Sequence, residues 1–359
     1  MLITIIIAFF SLVGLMTLHE FGHFLFAKKF GVKVEEFGIG YPPRIFGKKI
    51  GETIYSLNLL PFGAFVRLPG EIEENHSPDS FSQQPISKRV LIVLGGVLSF
   101  WIIAAIIFSI VFTLGAPIAI DDEADGDLIN PRVQIVGLAK DSPAEIAGLK
   151  IGDAIKEMSF LDVKLTPEKT KQIQEFTNNY LGKEINLTIE RGKEILYLSL
   201  IPRISPPQGE GAMGIALART AIKKSPLYLA LWEGIVATGD LTVGVIRGYL
   251  KAINNVIIGQ PSGVQMTGPV GVFQMLSQAQ ELGITYYLNF LAMISIYLAV
   301  FNLMPIPAVD GGKLMFLTIE AIRKKPVSEK VEQKITAVFF VLLIILMVFV
   351  TINDINRIF

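Results

Sequence analysis

Four stretches of this chain are apolar for long enough to cross a bilayer, a distance of about 20 helical residues. They cover residues 2–27, 90–114, 284–304 and 335–352. Backbone in lipid must satisfy its own hydrogen bonds, so these segments predict membrane helices rather than strands of an open sheet. Basic residues set their direction. Lys28, Lys29, Lys33, Arg44, Lys48, Lys49, Lys88 and Arg89 lie between the first two runs, and Arg323, Lys324, Lys325, Lys330 and Lys334 between the last two. The acidic run "DDEADGD", residues 121–127, follows the second. Both basic loops are therefore expected in the cytoplasm, with both termini and the long middle segment outside. The first run has no basic leader, which favours a retained helix over a removable signal. A fifth apolar stretch, 227–250, carries Glu233 and Asp240. Spanning there would carry the last basic loop outside, so 205–283 is expected to hold amphipathic helices lying on the outer face.

Between the second and third runs, residues 128–204 predict a soluble α+β insert. "DSPAEIAGL" predicts a short helix capped by Asp141 or Ser142, with Pro143 in its first turn and Gly148 at its end. "TPEKTKQIQEFTNNY" predicts a second, with Thr166 as cap and Pro167 at its first position. "EINLTIERGKEILYLSLIP" predicts a hairpin turning at Arg191 and Gly192. With the Ala-Gly-Leu and Gly-Asp pairs of 142–155, this order resembles a PDZ domain of the rearranged bacterial kind. Such domains can add an extended peptide to a sheet edge. On the other side, residues 28–89 form a loop in which 51–70 predicts a β-hairpin too apolar to be wholly solvated. Residues 71–85 predict a polar surface loop; His76 falls in it and is left out of the site. The fold class expected is thus a polytopic α-helical membrane protein of four transmembrane helices, with a membrane-associated β-hairpin and an inserted PDZ-like domain.

The first apolar run ends in "TLHEFGHFLFAKK", residues 17–29. Ionisable groups at such depth are costly and usually functional. On a helix, His19 and His23 share a face four residues apart and can hold one metal ion. Glu20 beside them is placed to move a proton to and from water at the metal. Zinc suits imidazole ligands and, in catalytic sites, takes three protein ligands. The chain has no cysteine and only three histidines, so the third ligand must be a carboxylate. Topology selects it. The third run also ends on the cytoplasmic side, in "NLMPIPAVDGGKL", where prolines and glycines interrupt the helix and Asp310 lies at matching depth. Glu35, Glu36 and Glu52 share that side but fall in the loop and rank behind. The 32 basic and 32 acidic residues balance, and nothing in them suggests nucleic acid as a partner.

The pair "HEFGH" and "NLMPIPAVDGG" resembles the site-2 protease family of intramembrane zinc metalloproteases. With one external PDZ-like insert and four spans, the chain is similar to the bacterial branch of regulator-of-sigma-E proteases. "FGIG" (37–40) and "YSLNLLPFGAFVRLPGE" (55–71) resemble that family's membrane-dipping hairpin, and "TGPVGV" (267–272) its motif before the third span. The resemblance implies one Zn2+ held by His19, His23 and Asp310, Glu20 as general base, and Asn302 as a substrate-positioning residue. It implies substrates that are single-pass membrane proteins, such as anti-sigma factors or signal-peptide remnants, cut after outside trimming. It also implies a place in the bacterial inner membrane, with the active site toward the cytoplasm. The stretch "LGGVLSFW" (94–101) departs from the Gly-Pro-x-x-Asn usual at the start of the second span. A helical substrate must be held unwound, and residues 57–65 are expected to offer a strand edge for that. A catalytically silent PDZ scaffold is the competing reading, but it has no use for Glu20. A transporter predicts an internal repeat of spans, and the halves show none.

Overall fold

The computed structural model describes residues 2–71, 75–124, 128–260, 262 and 267–358. Residues 72–74 of the polar loop and 125–127 of the acidic run thus lie outside the described part. Helix α1 (Leu2–Lys29) leads through strands β1 (Glu36–Ile50) and β2 (Thr53–Arg67) to α2 (Ile86–Leu114). There follow β3 (Ala116–Ile120), β4 (Ile129–Leu138), α3 (Pro143–Ile146), β5 (Ala154–Phe160) and β6 (Val163–Leu165). Next come α4 (Thr170–Asn179), β7 (Ile185–Arg191), β8 (Glu194–Leu200) and β9 (Ile215–Lys223). The chain closes with α5 (Leu227–Ile257), α6 (Pro269–Leu282), α7 (Ile284–Asn302), α8 (Asp310–Arg323) and α9 (Glu329–Ile358). It forms two compact units, one of residues 1–108, 231–277 and 290–359, the other of 109–230 and 278–289.

Among the described residues, five helices are long and apolar enough to cross a membrane: the four expected and α5. Their large apolar side chains face outward, as Ile3, Phe10, Ile102, Phe340 and Phe349 do, which suits lipid and not water. Polar side chains within them bond back into the helix: Ser11 Oγ donates to the Ile7 carbonyl at 2.8 Å and Thr17 Oγ1 to that of Val13 at 2.8 Å. Helices α1 and α2 approach closely where both are small. A Cβ on Gly22 would collide with Ser99 Oγ and the Gly95 carbonyl, so the crossing needs glycine there.

The hairpin is larger than 51–70. It starts at Glu36, and each long strand is creased at its middle. Arg44–Ile50 pairs with Asn58–Thr53 across the turn, while Glu36–Ile39 pairs with both Ile54–Leu57 and Arg67–Ala64. Four segments result, with 36–39 and 53–58 inside and 64–67 on an outer edge. Glu36, almost fully buried, pins the crease. It accepts from Ser56 Oγ at 2.6 Å and Arg44 Nη2 at 2.7 Å. Burial works against its charge, but these bonds hold the Glu36 carboxyl below the usual carboxylate range.

The second unit is built on a sheet in the order β3-β9-β4-β5-β7-β8, with β6 paired to β5. Val133, Ile135, Met158, Ile173 and Ile189 form its core. The sheet reaches beyond 128–204: β3 and β9 belong to it, because 116–120 pairs with 219–223 and closes one side of β9. Residues 215–223 are therefore strand, inside a stretch expected to be helical. Ser142 caps α3, its Oγ accepting from Glu145 N, and Gly148 ends it at φ +84°. The cap of α4 is not Thr166. Asp122 accepts from the backbone N–H of Thr170 at 3.1 Å and of Lys171 at 3.2 Å, so a carboxylate from far up the chain supplies it.

Candidate metal centre

The histidines sit in the C-terminal half of α1, near the lysines that end it. His19 is almost completely buried and stacks on Phe100 of α2, ring centroids 4.6 Å apart at 14°. The Nδ1 of His23 lies 3.0 Å from the Ile92 carbonyl, so Nδ1–H donates there and Nε2 keeps its lone pair free. Asp310 opens α8 and projects to the same point. Its first turn presses against the broken segment before it, and a Cβ on Gly311 or Gly312 would collide with the carbonyls of Met304 and Ile306. The two glycines are what let the aspartate reach the histidines.

The three groups converge as a nearly equilateral triangle. His19 Nε2 and His23 Nε2 are 3.3 Å apart, and Asp310 Oδ2 is 3.4 Å from each. Bonds of about 2.0–2.1 Å meeting at tetrahedral angles place their ligand atoms about 3.3 Å apart. The Oδ2 atom is buried without a hydrogen-bond partner, the state expected of a ligand atom aimed at a cation. Among the described residues this is the one cluster of three such groups able to share a metal ion, and the donor set fits zinc.

A cleft of about 830 Å³ opens from the triangle, lined by Glu20, His23 and Asp310 with Ala64, Phe65 and Val66 of the hairpin edge. The Val66 N–H lies within electrostatic reach of the Glu20 carboxylate, and both line the cleft, so the outer edge of the hairpin faces Glu20. This narrows the strand edge expected at 57–65. Leu57 pairs with Ile39 on one side and Phe46 on the other, and has no edge to offer; 64–66 do. Glu36 is committed to the hairpin crease, which removes it as a rival ligand. Asn302 ends α7 with its amide donating to its own helix, at the Leu298 carbonyl, 2.9 Å away.

Two contributions escaped the sequence reading. His76, left out as a loop residue, lines the cleft together with Glu71. Gly96, within the departing stretch 94–101, leaves the space that the His23 ring fills, for a Cβ there would overlap the ring. The signal was available: two adjacent glycines in a membrane helix mark a close approach.

Comparison with known proteins agrees with this geometry. The profile of peptidase family M50 matches residues 7–346. A Clostridium perfringens protein provisionally named as a zinc metalloprotease is 31% identical, the match covering 98% of each chain. Zinc metalloprotease RasP of Shouchella clausii is 29% identical over 98% of each. The regulator of sigma-W protease RasP of Bacillus subtilis is 26% identical over the full length of both. A helical membrane chain with this triangle of ligands and this match over nearly all its length belongs to peptidase family M50, the site-2 proteases, and is a zinc metalloprotease.

Proposed function

We propose that the chain hydrolyses a peptide bond within or near the transmembrane segment of single-pass membrane proteins, as the second cut of regulated proteolysis. The observation that carries this reading is the placement of Glu20, the ligand triangle and a strand edge around one cleft. His19, His23 and Asp310 are the zinc ligands. Zinc held there supplies Lewis-acid polarisation and brings the pKa of water toward neutrality. Glu20 takes a proton from the water that attacks the scissile carbonyl and hands it to the departing nitrogen. A substrate helix hides its carbonyls in internal bonds; the edge at 64–66 offers it backbone partners and holds it extended beside Glu20. Asn302 positions the substrate once its amide turns away from Leu298.

Four helices span, α1, α2, α7 and α9, while α5 lies along the outer face, where Glu233 and Asp240 are tolerated. The sheet unit is a PDZ-like domain outside the cytoplasm, together with both termini, and the membrane is the bacterial inner membrane. Its candidate peptide site is the side of β9 that β3 leaves uncovered, near Ile215–Ala218, since β3 pairs with 219–223 alone. Anti-sigma factors are the first substrates to try, because one relative is named a regulator of sigma-W protease. The test is cleavage of a truncated single-pass substrate by the parent chain and by Glu20→Gln. Abolished turnover with zinc retained is expected, and equal cleavage by both overturns the mechanism. Loss of zinc from His23→Ala checks the ligand set.

A further inference from the structure

The helix that delivers Asp310 starts without a side-chain cap. Residues 303–309 before it are irregular, and the N-cap position, Val309, makes no side-chain cap bond. One turn further on stands Lys313, on the neighbouring position of the same face as Asp310. Its ammonium gathers three partners from three separate segments. It donates to the Glu71 carbonyl at 3.0 Å, just past the hairpin's exit. It donates to Glu332 Oε1 of α9 at 2.8 Å. It lies 5.6 Å from the ring centroid of Phe81, a buried residue whose own N–H is tied to the Pro69 carbonyl. Both ends of the Lys313–Glu332 pair are only 22% exposed, so the pair is shielded from the screening that makes surface pairs nearly worthless. A second clamp acts further along α8, where Glu320 pairs with Arg89 of α2 at 3.0 Å.

We propose that Lys313 is a positioning residue for the metal site: it fixes the first turn of α8, and with it the Asp310 carboxylate, against the hairpin exit, the Phe81 loop and α9. A helix turn is stiff, so a shift at Lys313 passes to Asp310 three residues away. The partners of Lys313 belong to walls of the cleft, since Glu71, Phe81 and Glu332 all line it. Metal affinity and substrate fit are therefore set by the same ammonium. Hydrogen-bonded groups behind metal ligands typically change affinity about 10–100-fold when lost, which is the size of effect expected here.

The proposal rests on Asp310 being a zinc ligand, and the experiment separates the two. The full chain in detergent is compared with Asp310→Asn, Lys313→Met, Lys313→Arg and Glu332→Ala, reading zinc affinity by chelator competition and the visible spectrum of the Co2+ form. D310N should lose stoichiometric metal; if it does not, the ligand assignment fails whatever Lys313 does. K313M should bind zinc about tenfold or more weakly, with shifted Co2+ bands and a raised KM. K313R, which keeps the charge and can stack on Phe81, should recover most of that. E332A should fall between, and K313M/E332A should be no worse than K313M, because the two act through one contact. Unchanged zinc affinity and Co2+ spectrum in K313M overturn the proposal, as does K313R no better than K313M. If K313M does not fold, a parent-like Co2+ spectrum in E332A overturns it, and a shifted one supports it.

Discussion

Alanine at Gly96 adds one methyl group beside His23 and should damage the metal site without touching any ligand. The added Cβ would sit 2.7 Å from His23 Cδ2 and closer still to Nε2 and Cε1. Ordinary van der Waals contact begins at 3.4 Å. The nearest acceptable position therefore moves Cδ2 by about 0.7 Å and Nε2 further, against a tolerance of about 0.2 Å for zinc–ligand distances. The ring cannot simply swing aside, because Nδ1 is held by the Ile92 carbonyl. Inserting a methyl group into a packed site costs about 1–3 kcal/mol. If that strain falls on the metal-bound state, it corresponds to a loss of roughly 5- to 150-fold in zinc affinity. The assay is competition with a chromophoric chelator on the purified full chain, followed by cleavage of a truncated membrane substrate. Gly14→Ala is the control, since a Cβ at that position of α1 meets nothing within 4 Å. Parent-like zinc affinity in G96A would refute the claim that this glycine makes room for His23.

Four other outcomes follow from the same geometry. Val66→Pro removes the N–H that faces Glu20 and should slow cleavage severely while zinc binding stays at the parent level; normal turnover would show that substrate does not use this edge. Asp122→Ala uncaps α4 and should cost about 1 kcal/mol, read as faster amide exchange through its first turn. Asp153 is fully buried and bonds Arg191 Nε at 2.7 Å, so Asp153→Ala strands a guanidinium and should cost about 3 kcal/mol or more in thermal unfolding of the sheet unit. Glu36, its pKa lowered in the fold despite burial, stabilises the hairpin above its unfolded pKa, and that support is lost as pH falls through the lower folded value. Exchange protection at residues 54–57 should therefore drop on acidification below the ordinary carboxylate range, and Glu36→Gln should flatten that dependence.

What the sequence disclosed about the site followed from cost. Two histidines and a glutamate at the end of an apolar run need a reason, and spacing with depth led from them to Asp310 without any contact being visible. The same holds for the four apolar runs, for the Ser142 cap and for the turn at Gly192. Long-range partnerships were hidden. Nothing near Thr170 announces that Asp122 will cap its helix, and Thr166 with Pro167 offered a locally better start. Strands β3 and β9 read poorly because each flanks an element of another kind, and their pairing spans 99 or more residues. The hairpin's crease was hidden for a related reason. Period-two patterning identifies strands but does not say that Glu36–Ile39 will pair twice, leaving 64–67 on the edge beside Glu20.

The missed contributors share a physical character. Gly22, Gly95, Gly96, Gly311 and Gly312 act by what they lack: each would carry a Cβ into a neighbour's backbone or side chain. A ligand betrays itself by chemistry that its surroundings penalise, whereas an empty volume carries no penalty that composition can register. The stretch 94–101 illustrates the difference. Judged by polar groups, it lacks the Pro and Asn that a substrate contact would use, and it looks like a weakened site. Judged by volume, its glycines set the distance between α1 and α2 and the room for the His23 ring. Substitutions at these positions should therefore act on zinc affinity before they act on the chemical step, the reverse of Glu20→Gln, and that ordering can be measured variant by variant.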